Sequence, residues 1–201
     1  MSTSKSIEFF WEPGSPYTYL ASTQVERIAT EAGAAVTWKP FLLGKVFEAR
    51  GTKLPASIPA KAQYMFKDLA RWAQQYQVPV TMPKVFPVHS LLASRAAIAA
   101  SQFGHEAAAA KAVLHAYWGE GQDISQPEVL AAAFDKAGLD GKAILEHAQD
   151  QGVKDQLKNN TEDALKRGVF GAPSMFVGDA MFWGNDRLDQ MKLVLQGKIK
   201  A

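Results

Sequence analysis

The chain has 201 residues, of which 47% are apolar and 21% are charged, a composition typical of a globular protein and not of a disordered one. Its 22 basic and 20 acidic residues leave a net charge of only +2, which argues against nucleic acid or an anionic membrane as a partner. The absence of cysteine excludes disulfides, thiolate metal ligands and a thiol nucleophile carried by the chain itself.

Residues 7–43 predict a strand, a helix and a second strand. The apolar runs 7–11 and 36–43 are the strand candidates. The helix between them is indicated by the spacing of Tyr17, Leu20, Ala21, Val25 and Ile28, and it is expected to end at Gly33. With 24 residues between them, the two strands are expected to be parallel and joined by a right-handed crossover.

Helical patterns fill residues 61–167, and no strand signal interrupts them. The patterns comprise a stripe of Met65, Leu69, Trp72 and Tyr76, the alanine-rich segments 91–103 and 106–117, and segments through Ile144 and Leu165. Another helix is expected from Pro127, because proline is favoured in a first helical turn.

Strand patterns return near the end of the chain, where "SMFVG" and "MFW" flank a tight turn at Gly178-Asp179. A last helix is predicted with Leu188, Met191, Val194 and Leu195 on one face. The resulting order is β-α-β, a helical insertion of roughly 100–120 residues, and β-β-α, since so long a loop without structure of its own is uncommon. The sequence therefore predicts an α/β fold.

Ser15 stands at the junction of the first strand and the first helix, and two interpretations of it stay open. The first is a helix N-cap followed by Pro16 at the favoured next position. The second is an anion site, because a helix that begins just after a strand offers free N–H groups. A serine hydroxyl there can donate a hydrogen bond to the sulfur of an external thiol and lower its pKa. Nothing around Ser15 resembles the nucleophile elbow of a serine hydrolase.

Three stretches of the chain, "SPYTYLA", "IPAKAQYMFKDLARWA" with "VPVTMPKVFP", and "GVFGAPSMFVGDAMFWGNDRL", resemble the DsbA-like branch of the thioredoxin superfamily. Relatives that exchange disulfides carry C-P-x-C where this chain has Ser15-Pro16-Tyr17-Thr18, so dithiol chemistry is excluded. The match is closest to the branch of 2-hydroxychromene-2-carboxylate isomerase and the kappa-class glutathione transferases. The resemblance implies a thioredoxin-like fold in residues 1–56 and 166–201, with an all-helical insertion at 57–165.

The resemblance also implies a glutathione site. Ser15 would hold the sulfur, and the backbone of Ala172, before a cis-proline at Pro173, would pair with the cysteinyl backbone of glutathione. The γ-glutamyl end would lie against Trp183, Gly184, Asn185 and Asp186, with Arg187 either joining them or solvated. Read locally, the pair of residues 185–186 instead indicates an N-cap for the last helix.

The far side of the site is less well defined by the resemblance. Lys61 would face the active site and hold a substrate carboxylate, although most lysines at a helix start are simply solvated. Phe86 and Trp183 are expected to line an aromatic substrate pocket. Thr52 and Lys53 stand where relatives often carry a glutathione- or substrate-contacting asparagine. The histidines show no metal-binding spacing, so no metal is expected.

The activity that the resemblance implies is glutathione-dependent isomerisation of 2-hydroxychromene-2-carboxylate and trans-o-hydroxybenzylidenepyruvate, a step in aromatic-compound degradation. It would proceed by thiolate addition, bond rotation and elimination, which recycles glutathione. Two alternatives stay open: a kappa-like transferase that conjugates electrophiles, and a redox-inactive binding module. A homodimer is expected from the resemblance. The lack of a signal-peptide or membrane-span pattern makes the cytoplasm the expected location.

Overall fold

The computed structural model describes residues 5–200. Its strands are β1 (Lys5–Trp11), β2 (Ala34–Pro40), β3 (Ser174–Val177) and β4 (Ala180–Trp183). Its α-helices are α1 (Pro16–Ser22), α2 (Val25–Ala32), α3 (Leu43–Arg50), α4 (Pro59–Tyr76), α5 (Leu91–Ser101), α6 (Glu106–Leu114), α7 (Pro127–Lys136), α8 (Gly141–His147), α9 (Gln151–Lys166) and α10 (Leu188–Leu195). Single 3-10 turns occur at Pro55–Ser57 and Asn185–Arg187, and a π-helical turn at His115–Gly119. Within residues 5–200, no helix has both the length and the apolar character needed to cross a bilayer.

The four strands form one mixed sheet in the order β2-β1-β3-β4. β1 and β2 are parallel, with Ile7 opposite Val36, as their crossover connection predicts. β3 runs antiparallel to both β1 and β4 and carries the chain back into the sheet after the helical segment. The predicted α/β order, with the helices inserted between β2 and β3, is confirmed.

The two faces of the sheet are covered by different apolar clusters. Ile7, Phe9 and Trp11 alternate along β1 and pack into the larger cluster, which also contains buried residues of α1, α2 and α4–α9. Phe10 points the other way, into a smaller cluster that it shares with Phe176 of β3. Because the larger cluster joins the sheet to the helical insertion, residues from both of the expected units share one core. The boundaries at 57 and 165 stay a prediction.

The first helix differs from its prediction because it is broken in two. The hydroxyls of Ser22 and Thr23 donate to the carbonyls of Tyr19 and Leu20, and this side-chain bonding accompanies the end of α1. α2 then continues to the expected terminus, where Gly33 has a left-handed conformation with φ of 65°.

Three further boundaries differ from the predictions. β2 ends at Pro40, and Leu43, the last residue of the expected strand, begins the unpredicted helix α3. The helix expected over 106–117 ends at Leu114, where a π-helical turn begins. The residues at 185–186 do not cap α10, so the local N-cap interpretation is wrong. Instead they form a 3-10 turn, and α10 begins at Leu188 without a side-chain cap.

The π-helical turn fixes two of the loops that lead to the candidate site. The Trp118 indole N–H donates to the Pro13 carbonyl at 2.8 Å, in the turn between β1 and α1. The Tyr117 hydroxyl donates to the Val85 carbonyl at 2.8 Å, in the proline-rich segment after α4. π-Helical turns occur frequently at functional sites, and this one anchors the loops on either side of the cavity described next.

Candidate active site

A largely apolar cavity of about 490 Å³ lies where the β1–α1 turn, α3, the start of α4 and the loop before β3 converge. Its lining consists of Gly14, Ser15, Pro16, Tyr17, Leu43, Phe47, Leu54, Pro55, Ala60, Lys61, Tyr64, Met65, Phe86, Phe170, Gly171, Ala172 and Trp183. Among these described residues Lys61 is the one charged side chain. A concave apolar site with a few polar groups is typical of a small-molecule pocket.

Ser15 lies at the N-terminus of α1 and is only 7% exposed. Its hydroxyl oxygen accepts a hydrogen bond from the Thr18 N–H at 3.3 Å, so the predicted N-cap is confirmed. The same hydroxyl donates to the carbonyl oxygen of Ala172 at 2.9 Å. Ser15 therefore joins the first helix to the loop that precedes β3.

The first turn of α1 leaves one backbone donor available beside Ser15. The Ser15 N–H donates to the Glu12 carbonyl, Pro16 has no N–H, and the Thr18 N–H is bound to Ser15. Among residues 5–200, the Tyr17 N–H makes no backbone hydrogen bond. An anion placed there would thus meet the Tyr17 N–H, and also the Ser15 O–H if that hydroxyl turned away from the Ala172 carbonyl.

The Ala172–Pro173 peptide bond is cis, as the resemblance implies. No backbone hydrogen bond of the Ala172 N–H is found within the described range 5–200, while the carbonyl accepts only from the Ser15 side chain there. The backbone of Ala172 thus offers one donor and one acceptor next to the cavity, which is the pattern that an added peptide strand requires.

Trp183 forms part of the cavity mouth. Its indole lies so close to Gly171 that any side chain at position 171 would collide with the Trp183 Nε1 atom. The ring packs edge to face against Phe170, with centroids 4.9 Å apart, and both side chains are partly exposed. Trp183 therefore lines this cavity, while its role toward a ligand stays a prediction.

Asn185 and Asp186 lie apart from this apolar cavity. They line a polar cleft of about 280 Å³, together with Gln24, Arg27 and Asp189. Asn185 is 3% exposed, and its Nδ2 atom is buried without a hydrogen-bond partner. The Asp186 carboxylate is bound to Arg187 at 2.9 Å and folds back over Gly184. The structure thus separates the expected site residues into an apolar group and a polar group.

The expected substrate residues also line the apolar cavity. Lys61 is exposed on the first turn of α4, and Phe86 packs edge to face on Trp118, with centroids 5.9 Å apart. Thr52 and Lys53 are exposed and do not line the cavity, whereas the next residue, Leu54, does.

Several groups near the cavity escape sequence reasoning. The Tyr17 hydroxyl donates to Asp68 at 2.9 Å, and burial together with this carboxylate raises the pKa of Tyr17. Glu12 is buried at the start of the turn that carries Ser15, and burial raises the pKa of its carboxyl to about 7. Sequence patterns do not reveal buried carboxyl groups, because acidic residues are usually exposed.

Comparison with protein families identifies a DSBA-like thioredoxin domain over residues 6–196. The chain belongs to this DSBA-like family. Its α/β fold is therefore thioredoxin-like, and the resemblance seen in the sequence is confirmed.

Within the DSBA-like family, this member is similar to isomerases and to kappa-class transferases. It is 33% identical over 193 residues to the 2-hydroxychromene-2-carboxylate isomerase of Sphingobium xenophagum, covering 95% of this chain and 98% of the relative. It is 28% identical over 210 residues to human glutathione S-transferase kappa 1, covering 96% and 92%. A solved 2-hydroxychromene-2-carboxylate isomerase superposes with a TM-score of 0.81 at 29% identity, covering 96% and 95%. This DSBA-like protein is thus an isomerase-like enzyme of a glutathione-related family.

Proposed function

We propose that the protein is a glutathione-dependent isomerase of the 2-hydroxychromene-2-carboxylate type. The observation that carries the proposal is the hydrogen bond between Ser15 and Ala172 on the wall of an apolar cavity. Lys61 is the one charged side chain in the lining of that cavity. A chain without cysteine needs an external thiol for catalysis by a sulfur nucleophile, and the hydroxyl, the free backbone groups and the cavity fit a peptide thiol.

Ser15 and Tyr17 would hold the sulfur. With glutathione bound, the Ser15 hydroxyl would donate to the sulfur in place of the Ala172 carbonyl, and the Tyr17 N–H would provide a second donor. Hydrogen bonds to a charged acceptor favour the ionised thiol. The freed Ala172 carbonyl and the Ala172 N–H would then hold the cysteinyl backbone, as in the addition of a strand.

The polar cleft supports a place for the γ-glutamyl end of the tripeptide. Its α-ammonium group suits the carboxylate of Asp186, and its α-carboxylate suits Arg27 or the unpartnered amide of Asn185. Asp186 would then exchange its contact with Arg187 for one with the ligand.

Lys61 and the aromatic lining would bind the substrate. Bound glutathione supplies a sulfur nucleophile whose reversible addition to the substrate removes the barrier to rotation about a double bond. Lys61 holds the substrate carboxylate, while Phe86 and Trp183 contact its aromatic ring and exclude water. The residues therefore bind, orient and stabilise charge, and none of them forms a covalent bond.

The test is a spectrophotometric assay of 2-hydroxychromene-2-carboxylate isomerisation with and without glutathione. We expect turnover that saturates with glutathione while the concentration of free thiol stays constant. An isomerisation rate that is the same with and without glutathione would contradict the proposal.

A kappa-like transferase is the second candidate, and the similarity to human glutathione S-transferase kappa 1 favours it. It would use the same sulfur site but would consume one glutathione for each electrophile conjugated. Loss of free thiol in step with turnover would establish the transferase. A failure to bind glutathione at all in calorimetry would instead favour a redox-inactive binding module.

The proposal includes a cytoplasmic homodimer that acts in the breakdown of aromatic compounds. Partly exposed apolar side chains near the cavity, such as Tyr64 and Phe170, are compatible with a subunit contact. Light scattering coupled to size-exclusion chromatography is expected to give the mass of two chains.

A further inference from the structure

Glu12 is a carboxyl group buried beside the candidate site, and no cation among residues 5–200 pairs with it. The residue is only 7% exposed. Its stabilising hydrogen bonds come from neutral groups, the Gly14 N–H at 2.8 Å and the side chain of Ser90. A buried charge that lacks an ionic partner is costly, so this carboxyl group readily accepts a proton.

A tight turn brings Glu12 next to Ser15. The Ser15 N–H donates to the Glu12 carbonyl at 3.2 Å, which closes a β-turn over residues 12–15. The Cα atoms of the two end residues of such a turn lie within about 7 Å of each other. Between them stands Gly14, and a Cβ atom built there would lie 3.0 Å from the Glu12 Oε2 atom. Gly14, which has no side chain, thus contacts this carboxylate through its N–H and also lines the cavity beside Ser15.

Glu12 also lines a second cavity, of about 450 Å³, that adjoins the first. The two cavities share five lining residues, Gly14, Leu43, Phe47, Leu54 and Phe86. Glu12 therefore lines a cavity that shares part of its wall with the cavity beside Ser15.

Building on the proposed function, we infer that Glu12 accepts the proton that the glutathione thiol loses when it binds beside Ser15. The S–H bond breaks and an O–H bond forms on the Glu12 carboxylate, so a thiol and a carboxylate become a thiolate and a carboxylic acid. The buried negative charge moves from oxygen to sulfur, and no second charge is added to the site.

The groups around Glu12 are consistent with this role. Burial raises the pKa of its carboxyl to about 7, and the hydrogen bonds from Ser90 and Gly14 only partly oppose this rise. The phenol of Tyr117 faces Glu12, but it donates to the Val85 carbonyl, and burial raises its pKa further. It therefore does not compete for the proton.

The remaining ionisable side chains around the second cavity are Lys45, Glu48 and His89. All three are exposed, and Lys45 is paired with Glu48 at 2.8 Å. They are screened by solvent and contribute little to the ionisation of a buried carboxyl group.

The experiment counts the protons exchanged when glutathione binds, by titration calorimetry in buffers of different ionisation enthalpy. The bound thiolate is monitored in parallel by its ultraviolet absorbance. For the wild-type protein we expect the release of about one proton at pH values below the Glu12 pKa of about 7. Between that value and the free thiol pKa of about 8.5, release should fall close to zero, because Glu12 keeps the proton.

Glu12→Gln keeps the shape and the acceptor for the Gly14 N–H but cannot be protonated. When this variant binds glutathione, about one proton should be released at every pH below the pKa of the free thiol. Glu48→Gln is the matched control, because it removes an exposed carboxylate from the same cavity, and it should behave like wild type. The wild-type profile alone tests the inference even if the Glu12 variant does not fold.

Two outcomes overturn the inference in distinguishable ways. If thiolate forms but wild type releases one proton throughout this pH range, Glu12 is not the acceptor and the proposed function stands. If glutathione does not bind, or binds without ionising, the proposed function fails and the inference falls with it.

Discussion

The indole nitrogen of Trp118 donates a hydrogen bond to the carbonyl oxygen of Pro13 across 105 residues of sequence. The indole is fully buried. This contact fixes the turn that carries Ser15 against the π-helical turn at the end of α6. The position of the candidate sulfur site thus depends on the helical insertion as well as on the sheet.

Replacing Trp118 by Phe should remove this hydrogen bond while keeping an aromatic ring in the core. The Pro13 carbonyl is left without its partner, which typically costs about 1–3 kcal/mol of the free energy of unfolding. Chemical denaturation measures this loss. Trp72→Phe is the control, because Trp72 is only partly buried on α4, and its loss should be smaller. Equal losses in both variants would contradict the anchoring role.

Ser15→Ala separates the capping role of the hydroxyl from its proposed role toward sulfur. Loss of the N-cap should cost about 0.5–2 kcal/mol of stability. Loss of a hydrogen bond to the anion should raise the pKa of the thiol of bound glutathione by about one to two pH units. The absorbance of the thiolate measures this change. Asp140→Ala removes a comparable cap from α8, where the carboxylate accepts from the Ala143 N–H at 2.9 Å. It should lower stability without changing the thiol pKa, and a similar rise in both variants would exclude a specific role for Ser15.

Lys61→Gln should weaken substrate binding with little effect on the chemical step. If the ammonium group pairs with the substrate carboxylate, KM should rise about tenfold, equivalent to about 1.4 kcal/mol, while kcat changes less. Lys67→Gln, an exposed lysine on the same helix that does not line the cavity, is the control. Steady-state kinetics with a carboxylate substrate measures both constants. An unchanged KM in the Lys61 variant would contradict a role for Lys61 in binding the substrate.

The free energy of unfolding should depend on an ion network on the face of the sheet away from the larger cluster. Glu8 forms salt bridges with Lys39 and with Arg167, the latter at 2.7 Å. Lys39 forms a second salt bridge, with Asp163 at 3.1 Å. Burial alone would raise the pKa of Glu8, but hydrogen bonds from Lys39 and Arg167 outweigh it and hold that pKa below its ordinary value. The contribution of Glu8 is therefore complete above its unfolded pKa of about 4.3, and it is lost as the pH falls through the lower folded value.

Glu8→Gln should accordingly lower stability by about 1–2 kcal/mol near neutral pH, since the network is only partly buried. The difference from wild type should disappear in strongly acidic solution. Glu162→Gln removes an exposed carboxylate whose contact with Lys158 is 3.7 Å long, and it should be nearly neutral at every pH. Denaturation series at several pH values test both variants. A difference that grew toward acid would contradict the sign of the pKa shift.

Sequence patterns predicted those features that depend on local chemistry. The N-cap at Ser15, the terminus of α2 at Gly33 and the start of α7 at Pro127 all follow from residue types that satisfy or end a helix. The parallel pairing of β1 and β2 follows from the length of their connection.

What escaped prediction depends on distant contacts. α3 has a weak apolar pattern, and only Val46 within it is buried, so its formation depends on packing against α9. The π-helical turn is held by bonds to Pro13 and Val85, which no local pattern encodes. The burial of Glu12 likewise results from the way that the chain folds around it. The division of the expected site residues between two cavities is also a product of tertiary structure.

The bond between Ser15 and Ala172 spans 157 residues, which has a consequence for synthesis on the ribosome. A nascent chain that has emerged only as far as α9 has the serine but lacks the loop and the hairpin that complete the pocket. On the proposed function, ligand capture would therefore begin only after nearly the whole polypeptide has been translated. A ligand that binds only the finished pocket would then selectively stabilise full-length molecules over truncated ones.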